Sequence, residues 1–144
     1  MLDKIYVVYW SQSGNTQAMA EAVGAGITAA GKEAAVVDVS SVSTAELKNA
    51  KAFALGCPAM GAEVLEEGEM EPFVTEVEGF AAGKTIGLFG SYGWGDGQWM
   101  RDWEERMTAA GAVIAEGEGV IVQETPDDEI LEKCRELGKA LAAV

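Results

Sequence analysis

Five hydrogen-bonding side chains crowd into one short stretch near the start of this chain, Ser11-Gln12-Ser13-Gly14-Asn15-Thr16, and those of Ser11, Ser13, Asn15 and Thr16 suit a binding loop. An apolar run, Ile5-Tyr6-Val7-Val8-Tyr9-Trp10, precedes them, and a long helical pattern follows. The β-branched and aromatic run reads as a buried strand. A polar loop between a strand and a helix presents free N–H groups at the positive end of the helix dipole, which favours an anion. The hydroxyl and amide side chains add donors, and Gly14 lets the backbone come close. No Lys or Arg stands in the loop or the first helical turn. That suits a phosphate held by neutral donors and not released by hydrolysis. The competing reading is a plain helix start capped by Ser13 or Asn15. On the loop alone the two readings weigh about equally.

A second chemical signal is a pair of large apolar side chains in loops. Met60 follows Cys57-Pro58-Ala59, and Trp94 stands between Gly93 and Gly95 in Ser91-Tyr92-Gly93-Trp94-Gly95-Asp96-Gly97. A Trp flanked by glycines has few neighbours of its own to pack on. The alternatives are a lid over the sheet edge or a contact with a partner. A planar ligand stacked between Met60 and Trp94 accounts for both side chains better. Tyr92 could reach the same ligand, although a Tyr at a strand end is often structural. Trp99 and Trp103 have helical spacing and read as core.

Other chemistries are poorly supplied. Histidine is absent, which removes the usual general base and the commonest metal ligand. Cys57 and Cys134 match no metal or redox spacing. No export signal or membrane-length apolar run is expected, so both thiols should be reduced in a cytoplasm. The formal net charge of −14 argues against nucleic acid and anionic lipid and for cationic partners.

The remaining elements must hold these loops together. Strands are expected at residues 5–10, 34–39, 52–56 and 85–90. A fifth strand is expected to be shared by Ala112–Ala115 and Val120–Val122. Helices are expected over 14–30, with Met19, Val23, Ile27 and Ala30 on one face and Gly31 at the end, and within 40–49, where Ser43 and Glu46 suit a capping box. A further helix is expected to continue over 72–79, another to run from Gln98 to about Ala110, and the last to start after Pro126 and carry Ile130, Cys134, Leu137 and Leu141. Strands alternating with helices imply a parallel sheet covered on both faces, in one domain spanning 1–144. The three loops follow strands 1, 3 and 4. They can meet at the strand C-termini if those strands are neighbours, as in the order 2-1-3-4-5. Gly79-Phe80-Ala81-Ala82-Gly83-Lys84-Thr85 looks like a Walker A loop, but it is one residue short and precedes a strand where a helix is needed. No dinucleotide fingerprint follows strand 1, and Trp10-Ser11 stands where a phospho-receiver would carry acids.

The three loops, Ser11–Thr16, Cys57–Glu63 and Ser91–Gly97, resemble the FMN-binding loops of flavodoxins, most nearly the short-chain type of anaerobes. The resemblance spans the whole chain. It implies a flavodoxin-like, doubly wound α/β fold with a five-stranded parallel sheet and helices on both faces. The order 2-1-3-4-5 is the one known for that family, so it is what the resemblance implies and not an independent derivation. Gln12 stands where relatives often carry Gly, which leaves its role open. The resemblance implies that Ser11, Ser13, Gly14, Asn15 and Thr16 hold the phosphate. It places Met60, beside Pro58 and Ala59, on the inner flavin face and Trp94 on the outer face. Gly61 would offer a backbone carbonyl near flavin N5, Glu63 would accept from N3, and the Gly93–Gly95 backbone, next to Ser91 and Tyr92, would lie beside the pyrimidine ring.

The implied function is a low-potential one-electron carrier that cycles FMN between semiquinone and hydroquinone. It would be a cytoplasmic monomer and not an enzyme. Its partners would be basic redox proteins, reductases and oxidoreductases that otherwise use ferredoxin. Glu63, Glu66, Glu67, Glu69 and Asp96 are expected to form an acidic rim for them. The enzyme alternative is an FMN-dependent NAD(P)H:quinone or flavin reductase, and a third is a binding module without flavin.

Overall fold

The structure, a computed structural model, describes residues 4–12, 14–61 and 63–144. Its strands are β1 (Lys4–Tyr9), β2 (Glu33–Asp38), β3 (Ala52–Gly56), β4 (Thr85–Tyr92), β5 (Val113–Ile114) and β6 (Val120–Gln123). Its α-helices are α1 (Asn15–Ala29), α2 (Met70–Glu78), α3 (Gln98–Ala109) and α4 (Asp128–Ala142). The strand order is β2-β1-β3-β4-β5, with β6 also beside β4. Every ladder is parallel. The two apolar runs expected to share a fifth strand do so: β5 pairs with Thr85 and Ile86, and β6 with Phe89 to Tyr92. A 3-10 turn at Ala115–Gly117 separates them, with Glu116 and Gly117 at φ 64 and 83.

Alternate residues of the central strands feed two cores. Val8, Phe53, Leu55, Ile86 and Leu88 pack with Phe73, Val77, Trp99, Trp103 and Met107 of α2 and α3. Val7, Ala54 and Phe89 pack with Met19, Val23, Ile27, Cys134, Leu137 and Leu141 of α1 and α4. β3 is buried along its whole length, as a central parallel strand must be. α1 and α4 meet backbone to backbone. A Cβ on Gly26 would lie 2.0 Å from the Arg135 carbonyl oxygen, and one on Gly138 would lie 2.1 Å from that of Val23.

Local chemistry moves several boundaries from those expected. The helix expected within 40–49 is a 3-10 turn, Thr44–Leu47, but the Ser43–Glu46 capping box is formed. α2 begins two residues before Pro72, which sits harmlessly in the first turn because N–H groups there lack helical acceptors. Glu66 makes the early start possible: its carboxylate accepts from the N–H groups of Gly68, Glu69 and Met70. β4 extends two residues further, to Tyr92, paired there with Gln123. Ala30 is exposed, just past the end of α1, while Gly31 takes φ 91. The N–H groups of Gly31 and Lys32 then close the Schellman turn on Thr28 and Ile27. In the Walker-like segment, Gly79 ends α2, and the Lys84 ammonium donates to the Lys48 and Ala50 carbonyls, so it is held as a structural lysine.

Candidate cofactor site

The loops after β1, β3 and β4 come together because those strands are adjacent. Three hydrogen bonds carry the sheet into the loops: Trp10 N–H to the Gly56 carbonyl, Cys57 N–H to that of Phe89, and Ala59 N–H to that of Ser91. The first loop is tied to β4 by a buried contact of 3.2 Å between the Thr16 and Ser91 hydroxyls. Thr16 and Ser91 are 1% and 5% exposed, so this pair is the floor of the site.

The start of α1 has the chemistry of an anion site. Asn15 is not the cap but the first helical residue, and the cap position is Gly14 at φ 95; Ser13, the other expected cap, lies outside the described residues. Ser11 Oγ accepts from the N–H groups of Gly14 and Gln17. No acidic residue stands in the first turn of α1. The other three α-helices each have a carboxylate at the N-terminus. Glu66 accepts at the start of α2, Glu63 accepts from Gln98 N–H of α3 at 3.0 Å, and Asp127 caps α4. Among the described residues, α1 is the α-helix whose positive end has no carboxylate hydrogen-bonded to it. A phosphate would complete it. A Cβ on Gly14 would meet nothing within 4 Å, so the approach is open.

The second and third loops are locked to each other. Met60 and Val64 bridge as an antiparallel pair, closing a three-residue turn in which Gly61 has φ 40 and Glu63 φ 56. The Glu63 carboxylate reaches across to α3 and lies against Gly95, where a Cβ would sit 2.6 Å from its Cδ. Trp99 Nε1 donates to the Cys57 carbonyl, tying α3 to the start of the 57–64 loop. Trp103 Nε1, one turn on, finds no acceptor among the described residues.

The large side chains divide as their spacing predicted. Trp99 and Trp103 are buried, while Trp94 is 64% exposed between its glycines. Met60, Pro58 and Ala59 are half-buried, and Gly61, Gly93 and Gly95 are exposed. Tyr92 is half-buried and packs its ring on Trp99 at 5.5 Å, which gives it a structural contact of its own. Gln12 is exposed beside the α1 terminus.

The expected acidic rim is not uniformly free. Glu66 is committed to α2, Glu63 bonds Gln98 N–H, and Asp96 pairs with Arg101 at 3.0 Å. Glu67 and Glu69 are exposed. Sequence spacing could not reveal the Glu66 cap, the Thr16–Ser91 pair or the Trp99–Cys57 bond. Each joins groups that only the fold brings close. Burial pushes the Cys57 thiol up to about 12, with the nearby Glu66 and Glu71 charges adding and the Glu66 N–H opposing. Burial likewise pushes Cys134 up to about 12, against the Arg135 charge. Neither is a thiolate at neutral pH.

Three loops at the carboxyl ends of a doubly wound sheet, one around an open helix terminus and one carrying an exposed indole, define a mononucleotide-binding α/β protein. The sequence model of the flavodoxin family matches residues 7–138. A flavodoxin from Clostridium beijerinckii is 51% identical over 138 residues, covering 96% of this chain and 99% of the relative. One from Megasphaera elsdenii is 42% identical, covering 96% and 98%. The solution structure of two-electron reduced Megasphaera elsdenii flavodoxin superposes with a TM-score of 0.88 at 41% identity, covering 97% of this chain and 99% of that one. The chain belongs to the flavodoxin family. Its cofactor is FMN, and it is an electron carrier among redox proteins, which disfavours the reductase alternative. Among the described residues, no helix is long and apolar enough to cross a membrane.

Proposed function

We propose that this protein is a cytoplasmic, monomeric, low-potential FMN carrier, one domain from end to end, that moves single electrons between basic redox proteins. The observation that carries the reading is the carboxylate-free, open N-terminus of α1, joined through Thr16–Ser91 to the loops of Met60 and Trp94. Ser11, Ser13, Gly14, Asn15 and Thr16 would hold the phosphate, with Gln12 at the margin. Met60 and Trp94 would flank the ring, with Pro58, Ala59, Ser91, Tyr92, Gly93 and Gly95 forming its surround. Bound FMN supplies the one-electron chemistry that no side chain here provides.

The protein's own groups set the electronics. Gly61 would offer its carbonyl to N5. Glu63 holds Gln98 N–H with Oε1 and keeps lone pairs to accept from N3. The buried, unpaired thiols Cys57 and Cys134 suit a reducing compartment. Charge supports basic partners. Lys4, Lys32, Lys51 and Lys84 begin or immediately precede β1 to β4, and Lys48 lies close by. These five of the chain's ten cations therefore lie at the sheet end opposite the site. Glu63, Glu66, Glu67, Glu69 and Asp96 are in loops on the site's side, so a cationic surface is drawn to the cofactor end.

Titration of the apoprotein with FMN and with riboflavin tests the reading through quenching of flavin emission. FMN should bind stoichiometrically and far more tightly. Equal affinity for the two would remove the phosphate role of residues 11–16.

A further inference from the structure

We propose that the open edge of β6, with the groove beside it between α3 and α4, is a docking site for an extended lysine- or arginine-bearing segment of a partner protein. The segment would add to the sheet as a strand. Among the described residues β6 is paired on one side only, with β4, so its other edge has no neighbouring strand, although the N–H of Gly119 just before it donates to Glu104. A groove of about 720 Å³ opens beside the first half of this edge, at Val120 and Ile121. Its floor includes Met100, Val120 and Ile121, and its walls carry Glu104, Glu116, Glu118, Glu132 and Glu136 against Arg101 and Lys133.

Charge chooses the occupant. Arg101 pairs with Asp96, Glu132 with Arg135 and Glu136 with Lys139, and Glu104 accepts from Gly119 N–H, so the wall's acidity rests on Glu116 and Glu118, which have no ion-pair partner among the described residues. A second copy of this chain, at a net charge of −14, would bring more carboxylates to an acidic groove. A bare metal ion is not suited: among the described residues, no three acidic or other ligating side chains are grouped to hold one. The carboxylates instead come from three sides of the groove: Glu116 and Glu118 just before β6, Glu104 on α3, and Glu132 and Glu136 on α4. A cationic strand laid against β6 would run between them while its backbone extends the ladder.

Location gives the docking a use. β6 runs parallel to β4 and ends at Gln123, whose Nε2 donates to the Gly93 carbonyl. The β6 edge therefore ends beside the loop that carries Trp94, and Gly97 of that loop lines the groove. A partner anchored here is oriented next to the cofactor while the three loops stay uncovered.

The test uses the FMN-loaded, isotope-labelled protein and three synthetic peptides followed by amide NMR. The first alternates lysine and valine, the second has proline in place of each valine, and the third has glutamate in place of each lysine. The expected result is shifts and slowed amide exchange across residues 116–123 with the first peptide alone. In an E116Q/E118Q variant, at exposed positions, its binding should weaken about threefold to tenfold, as loss of two exposed ion pairs implies. FMN affinity, measured on the same samples, should not change. Equal binding of the proline peptide would overturn the proposal in favour of undirected charge attraction. So would shifts centred on residues 58–63 and 91–97, or no binding of the first peptide.

Discussion

Replacing Gly61 by valine asks whether the backbone of the 60–64 turn tunes the bound cofactor. Gly61 has φ 40, and a Cβ there would meet nothing within 4 Å. The Cβ of a valine therefore has room, and the cost to be weighed is a β-branched residue held at positive φ. Such a conformation costs about 1–3 kcal/mol, which is about 40–130 mV for a one-electron couple if it falls on one redox state alone. The Gly61 carbonyl is the group that would accept a hydrogen bond from a protonated N5 of bound FMN. Valine should then penalise the turn that presents this carbonyl, lower the first one-electron potential and bring the two potentials closer. Oxidised FMN should still bind. Spectroelectrochemical titration reads both potentials, and flavin fluorescence reads the affinity. If Gly61→Val loses stability while both potentials stay put, positive φ is needed equally in both states. The account of a turn that answers reduction would then be wrong.

Three other outcomes follow from the same geometry. Trp94→Ala should weaken FMN binding by a few kcal/mol at most, since aromatic stacking adds about 0.5–1.5 kcal/mol beyond burial. It should also relieve flavin quenching and leave the melting temperature of the apoprotein unchanged, because the indole is 64% exposed. Stopped-flow electron transfer to a basic partner should slow as ionic strength rises through about 0.1 M, where the screening length is about 10 Å; a flat profile would deny the acidic end a steering role. Cys57 and Cys134 should resist alkylation in the native state at pH 8 and react on unfolding. The folded thiols titrate at about 12 against an ordinary 9.0, so the stability tied to their neutral form is intact below pH 9 and is lost as pH climbs towards 12. Rapid native labelling, or no alkaline loss of stability in the pH 9–12 window, would contradict the burial found for them.

Much of this protein was legible along the chain because it rests on short-range rules. Period and length separated the strands from the helices, so Ala52–Gly56 was read with its observed bounds and Gln98–Ala109 nearly so. The Ser43–Glu46 capping box and the glycine at residue 31 are local stereochemistry. Gly flanks marked Trp94 as a side chain without local support, whereas the four-residue spacing of Trp99 and Trp103 marked them as core. Requiring three loops to meet made strands 1, 3 and 4 neighbours, and the full order came with the family resemblance.

Tertiary structure decided what depends on distance between elements. Glu66 was taken as a surface acid; three backbone donors at the start of α2 claim it, and that also moves the helix start ahead of Pro72. Glu63 links the turn of Met60 to α3, thirty-five residues away in sequence. Thr16 and Ser91, seventy-five residues apart, share a buried contact. No local pattern carries such pairings, because a hydrogen bond across the sheet depends on which strands are adjacent and in which register. The carboxylate-free positive end of α1 is likewise a tertiary fact. Its sequence shows no carboxylate in the first turn, but only the folded chain shows that, among the described residues, none arrives from elsewhere as Glu63 does for α3, leaving Ser11 Oγ as the acceptor for Gly14 and Gln17 N–H.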